Sequence, residues 1–233
     1  MSFQFKQFSV EDDQSAMKVG TDAVLLGSWV QPENEKTILD IGTGSGVIAL
    51  MMAQKSTAKI DAIDFDKDSI LQAERNFQKS QWFSQLKVIH ISLQNYTKSV
   101  THKYDLIVSN PPFFDQSLKS HNKEKSISKH TDSLKFNELA HGIKQLLNPT
   151  GKAYLILPPV EAAQFLDEAR IEGLFCCKKL NIVPIEGKAI NRWIFEISSF
   201  RTKLIEEELT IRDKNQHYTT KYKELTKDFY IKF

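Results

Sequence analysis

Ser109-Asn110-Pro111-Pro112-Phe113 is a stretch whose residue types could do chemistry. Two consecutive prolines fix the backbone after Asn110 and withhold two N–H donors. Carbonyl oxygens and the Asn110 amide oxygen are left as acceptors. Such acceptors match the two N–H groups of an exocyclic amine on a flat heterocycle, or of a glutamine amide. The lone pair of that nitrogen is delocalised and a poor nucleophile. Accepting both hydrogens pushes charge back onto nitrogen and favours a pyramidal geometry. Phe113 adds a stacking face, worth roughly 1–3 kcal/mol per base in single-strand binders. Paired prolines often mean only a rigid turn, so the placement of this stretch decides its meaning. The candidate catalytic set is therefore Asn110, Pro111, Pro112 and Phe113.

A second constellation lies upstream. Asp40-Ile41-Gly42-Thr43-Gly44-Ser45-Gly46 follows a short apolar run and opens a helix-like segment. Gly42, Gly44 and Gly46 let the backbone turn sharply and approach a ligand closely. About twenty residues on, Asp64 ends the next apolar run, where a carboxylate can accept both hydroxyls of a ribose. Together these point to a nucleotide-bearing cofactor. A dinucleotide would place its pyrophosphate at the helix N-terminus, and Asp40 at that mouth would repel it. Asp40 suits a cationic ligand instead, and the spacing is G-x-G-x-G rather than G-x-G-x-x-G. S-adenosylmethionine (SAM), with an ammonium, a sulfonium and an adenosine ribose, fits all of these features. For Asp40 alone, capping of the following helix is a competing role.

The elements that must hold these residues alternate between strand and helix. Strands are expected at 37–41, 59–64, 86–91, 104–109 and 151–157, and helices at 46–55, 67–79, 134–147 and 160–172. Two late strands, 175–183 and 192–199, have no helix between them and should pair as an antiparallel hairpin. Strand–helix alternation implies a parallel sheet covered on both faces. Ligands bind such sheets beyond the carboxyl ends of the strands. Every unusual motif above falls at such an end. The polar stretch 114–131 reads as a loop.

On these motifs the chain resembles the class I SAM-dependent methyltransferases of the amino-group branch. Asp40–Gly46 resembles their first motif, Asp64 their ribose-binding acid, and Asn110–Phe113 their catalytic tetrapeptide. The opening FKQFSV, the AMKVGTDAVLLG of 16–27, the KHTDSL of 129–134 and the terminal YKELTKDFY resemble more narrowly the bacterial tRNA (adenine-N6)-methyltransferases that modify adenine 37 of valine tRNA. The resemblance implies a Rossmann-like α/β fold with a seven-stranded, mostly parallel sheet and a C-terminal antiparallel hairpin, as one domain over 1–233. It implies that Lys18 and Thr21 touch the carboxylate end of SAM. It also implies that the SAM adenine packs near Ser92 and Leu93, where many relatives carry an aspartate. Phe113 stands where many relatives have tyrosine. The implied partner is tRNA, met at its anticodon loop by the lysine-rich 114–131 stretch and the basic 178–203 region, with His130 a loop residue.

Composition narrows the remaining classes. The chain has 233 residues, 41% hydrophobic and 26% charged, which is ordinary for a globular protein. With 31 Lys+Arg against 29 Asp+Glu, no global basic field argues for nucleic acid; local concentration has to. No apolar run is long enough to span a bilayer, and the N-terminus lacks the apolar core of a secretory signal. Cys176 and Cys177 are adjacent, so no disulfide framework and no metal-ligand spacing is expected. The expectation is a cytoplasmic monomer without metal or membrane attachment. A protein-glutamine methyltransferase shares the chemistry but carries an extra N-terminal domain, and only about 36 residues precede the first strand expected here. A DNA-adenine enzyme, a non-catalytic RNA-binding module on the same fold, and a nicotinamide dehydrogenase each account for part of the pattern. The first lacks a segment that looks like a separate target-recognition domain. The second leaves intact Asp40, Asp64 and Asn110 unused, and the third leaves Asn110–Phe113 unexplained.

Overall fold

The computed structural model describes residues 2–13, 18–112 and 134–232. Phe113, the 114–131 stretch and His130 lie outside these residues.

The chain opens with a small antiparallel pair, β1 (Ser2–Gln4) and β2 (Ser9–Glu11), and a buried helix, α1 (Thr21–Trp29). Alternation then begins: β3 (Thr37–Ile41), α2 (Val47–Lys55), β4 (Lys59–Asp64), α3 (Lys67–Gln78), β5 (Leu86–His90), α4 (Leu93–Ser99) and β6 (Tyr104–Ser109). It continues with α5 (Phe136–Leu146), β7 (Leu147–Leu157), α6 (Pro159–Ile171), β8 (Phe175–Ile185), β9 (Arg192–Ser198), β10 (Ile205–Arg212) and α7 (Thr220–Thr226). β3 and β6 are buried almost throughout, as strands covered on both faces must be. Asp66 caps α3, accepting the Ser69 N–H at 2.8 Å, so that helix starts abruptly after β4.

The main sheet has the order β10-β8-β9-β7-β6-β3-β4-β5. Every neighbouring pair is parallel except β9, which runs antiparallel to both β7 and β8. The expected hairpin is therefore present, but the sheet has eight strands, not seven. The addition, β10, pairs in parallel with β8. Its Ile-Glu-Glu-Glu start is exposed and has no apolar alternation, so nothing in its composition marks a strand. A charged edge of this kind discourages pairing with a second sheet.

Two apolar layers enclose the sheet. One joins α1, α2, the Phe77 face of α3, α7 and the aromatic residues of both termini. The other joins α4, α5 and α6 through Leu93, Ile143, Phe165 and Phe195. The chain changes direction across the sheet at β3, which lies between β4 and β6. The crevice at that reversal is where this topology accepts a ligand. Among the described residues no helix is long and apolar enough to cross a membrane.

Candidate active site

The site is built from the carboxyl ends of three adjacent strands. Ile41 is in register with Ile63 on one side and Ser109 on the other. Gly42, Asp64 and Asn110 therefore leave the sheet at one level, on strands about 4.8 Å apart. The Ser109 hydroxyl donates to the Ile41 carbonyl at 2.9 Å, a buried bond that ties the two strand ends together.

Gly42, Gly44 and Gly46 all have positive φ, at 72°, 54° and 82°. Gly42 and Thr43 donate their N–H groups to the Ile63 carbonyl at 2.9 and 3.0 Å, which folds the loop over β4. The three glycines serve different ends. A Cβ on Gly42 or Gly44 would meet nothing within 4 Å, whereas a Cβ on Gly46 would lie 2.4 Å from the Phe77 ring. The first two border open space and the third permits close helix packing.

Asp40 is completely buried. One carboxylate oxygen accepts the Thr43 hydroxyl at 2.6 Å, and the Ala49 N–H lies close enough to stabilise the carboxylate; Oδ1 has no donor at full hydrogen-bond geometry among the described residues. Burial pushes its pKa up from 3.8 to about 7, against the lowering effect of the Thr43 bond. Asp64 accepts the Gly44 N–H at 2.9 Å through one oxygen and the Asp66 N–H at 3.0 Å through the other. Burial raises its pKa, with the backbone donors opposing. Asp64 thus braces the glycine loop, a contact its spacing in sequence did not announce.

Asn110 follows β6 directly. Its amide oxygen is sealed from solvent and has no hydrogen-bond donor among the described residues. Pro111 is buried and Pro112 exposed, so the turn is anchored on one side and open on the other.

The remaining expected contacts are placed less simply. Lys18 donates to the Asp12 carbonyl at 2.7 Å and lies 3.7 Å from its carboxylate. Thr21 is exposed in the first turn of α1. No hydrogen bond among the described residues joins either to the glycine loop. The Ser92 hydroxyl caps α4 by accepting the Asn95 N–H, and the Leu93 side chain is buried against Gly142. Both residues begin a turn level with Asp64, whose carbonyl accepts the Ile91 N–H at 2.9 Å.

Known proteins are similar to this chain in sequence and in fold. The family model described as a methyltransferase small domain matches residues 14–156. The tRNA1(Val) (adenine(37)-N6)-methyltransferase of Trichodesmium erythraeum is 42% identical over 99% of this chain and 98% of its own. This chain belongs to that methyltransferase family. The enzyme of the same name from Parabacteroides distasonis is also 42% identical, over 99% of this chain and 98% of its own. Among solved structures, a predicted O-methyltransferase from Agrobacterium tumefaciens aligns with a TM-score of 0.70 over 89% of this chain and 96% of its own. At 17% identity that likeness bears on the fold alone.

The cofactor of the methyltransferase is SAM, and the residues present fit it. Open space borders Gly42 and Gly44, and Oδ1 of Asp40 is buried with no donor at full hydrogen-bond geometry among the described residues. Asp64 has used two of its roughly four lone-pair sites. Sequence reasoning passed over one neighbour. Phe65 is 58% exposed immediately after Asp64, and the His90 ring holds its carbonyl at 2.9 Å. An apolar ring next to a candidate ribose acid was a readable signal.

The basic 178–203 region does not act as one surface. Lys178 is 3.9 Å from Glu196, and Lys179 is 3.0 Å from Glu206 with its ammonium 4.3 Å above the Trp193 ring. Arg201 and Lys203 follow the end of β9, at the amino edge of the sheet, because β9 runs against its neighbours. Lys188 and Arg192, in and after the β8–β9 turn, stand at the carboxyl edge. A charge count along the chain could not foresee that β9 would carry Arg201 and Lys203 to the opposite edge.

Proposed function

We propose that this chain transfers a methyl group from SAM to the N6 amino group of an adenine in tRNA. The proposed position is the one in its relatives' names, adenine 37 of tRNA1(Val). The observation that carries the reading is the Asn110 amide oxygen. It is a buried acceptor with no donor among the described residues, beside the glycine loop. Leaving such an oxygen unsatisfied costs about 1–3 kcal/mol, and a substrate N–H removes that cost.

When bound, SAM supplies a methyl group already activated by its sulfonium. The protein's part is then binding and orientation. Asp64 would accept the ribose hydroxyls and Asp40 would meet the cationic amino acid end. Lys18 and Thr21 would serve the carboxylate. Phe65 would offer a face to the adenine, and the Ser92–Leu93 peptide groups would serve its edge. On the substrate side, the Asn110 oxygen and a peptide oxygen of the Asn110–Pro112 turn accept the two amine hydrogens. These fixed dipoles stabilise the charge that develops on nitrogen, and the proton then leaves to solvent. The role proposed for Phe113 is a stacking face for the target base. Reaching this turn requires the base to leave its stack, which an anticodon loop makes less costly.

Radiolabelled SAM incubated separately with total tRNA, DNA and release-factor protein tests the reading. The expected product is N6-methyladenosine in valine tRNA. Label confined to DNA, to glutamine in protein, or absent from all three overturns it.

A further inference from the structure

The peptide group between Ile41 and Gly42 is held from both sides. Its carbonyl accepts the Ser109 hydroxyl of β6 at 2.9 Å, and its N–H donates to the Ile63 carbonyl of β4 at 2.9 Å. A peptide group is planar and stiff, so these two bonds fix it across three neighbouring strands. It is also the last peptide before the glycine loop, because Gly42, with φ at 72°, opens the bend over β4. On the other side of the tie, Ser109 is the residue immediately before Asn110. One side chain therefore joins the loop that borders the cofactor space to the turn that carries the Asn110 oxygen.

Ser109 follows Leu106, Ile107 and Val108, all buried, and is itself 1% exposed. A hydroxyl is unfavourable in such a place unless it is hydrogen-bonded. The bond it makes supplies what the backbone cannot. Pro111 and Pro112 have no N–H, so the turn after Asn110 cannot extend the ladder toward β3. Ser109 stands one residue short of that gap. Its bond is buried, so water does not compete for either atom. The hydroxyl proton is committed to the Ile41 carbonyl, which keeps Ser109 out of the proton transfer itself.

We propose that Ser109 is a positioning residue for methyl transfer, whose hydroxyl sets the separation between the cofactor cradle on β3 and β4 and the amine nitrogen held by Asn110 on β6. The proposal rests on the reading of Asn110 above and deepens it. Transfer needs the reacting atoms roughly 3–3.5 Å apart and aligned. Donor and acceptor would be held from different strands, so any play between β3 and β6 enters that distance directly. A misplacement on the order of 1 Å costs about 100-fold in rate. Binding of either reactant alone does not sense the tie, because each is held on its own side of it.

Three variants test it. Ser109→Ala removes the donor, Ser109→Thr keeps it, and Thr226→Val removes another buried hydroxyl, bonded to the Tyr222 carbonyl at 2.8 Å in α7. Rates are read on whichever acceptor the wild type methylates, so an acceptor other than tRNA would overturn the RNA reading and leave this comparison intact. In Ser109→Ala, kcat should fall about 10–100-fold, with calorimetric SAM affinity and KM for the acceptor within about twofold of wild type. Ser109→Thr should keep kcat to within about threefold of wild type, and Thr226→Val should keep it unchanged. In the cofactor-free protein, amide exchange at Gly42 and Thr43 should quicken about fivefold or more in Ser109→Ala and not in Ser109→Thr. Should Ser109→Ala fold poorly, Ser109→Cys, which fills the same space with only a weak donor, gives the same comparison. A kcat within about threefold of wild type in the variant without the hydroxyl, or a SAM affinity that falls in step with the rate, overturns the proposal.

Discussion

A carboxylate sealed at the end of a parallel sheet is hard to ionise, and Asp40 is such a group. Its pKa is ordinarily 3.8 and burial moves it to about 7. In the cofactor-free fold, the proton is held between those values while the unfolded chain has released it. This group's contribution to stability is therefore full below about 3.8 and is lost as pH rises through about 7. Asp40→Asn removes the cost of ionisation. It should raise the melting temperature of the cofactor-free chain at pH 8 by ~2–4 °C, read by calorimetry. The same variant should weaken SAM binding about 10–100-fold at that pH, because the charge-assisted contact is lost. Unchanged affinity would show that Asp40 only braces Thr43. Asn110 behaves in the opposite way. Asn110→Ala should lower kcat by about 100-fold or more while leaving SAM affinity intact, as measured by single-turnover methylation and calorimetry. Near-normal turnover would remove the catalytic assignment.

At the level of elements, the glycine loop separates binding from folding within five residues. Gly44→Ala adds a methyl group to open space at φ 54°. It should fold, at a cost of about 1–2 kcal/mol for the left-handed backbone, yet lose SAM affinity because the methyl fills the cradle. Gly46→Ala meets the Phe77 ring at 2.4 Å with φ at 82°. Strain and overpacking together should cost about 2–5 kcal/mol, so urea unfolding should reveal this variant as the less stable of the two. The reverse order would mean that the loop is shaped by something other than these contacts. This part of the site was legible because glycine spacing after an apolar run has few physical explanations. The strands that carry it were legible for the same reason, since residues buried on both faces read as unbroken apolar runs. β10 was not, because an exposed edge strand needs no apolar face. Ser92 and Leu93 stand after β5 as expected, but that Ser92 caps α4 and Leu93 is buried against Gly142 could not be read until α4 was seen.

Across the whole molecule, the two ends of the chain close on each other behind the glycine loop. Lys6 donates its backbone N–H to the Phe229 carbonyl at 2.9 Å. Phe5 stacks on Phe8 at 4.6 Å and meets Phe229 edge-on at 6.5 Å. Lys55, at the end of α2, donates to the Gly27, Ser28 and Val30 carbonyls at the end of α1 and sits 5.6 Å from the Phe229 ring. Phe229 is 1% exposed, so it links the N-terminal strands, α1 and α2, and the segment carrying Tyr222 and Tyr230. Phe229→Ala should cost about 3–5 kcal/mol of unfolding free energy, read from urea melts. Hydrogen exchange should speed up in residues 21–29 and 220–230 before it does in β3 or β6, which lie in the middle of the sheet. Exchange that quickened first in β3 or β6 would show that the terminal clasp supports the sheet itself and not only the helices packed on it.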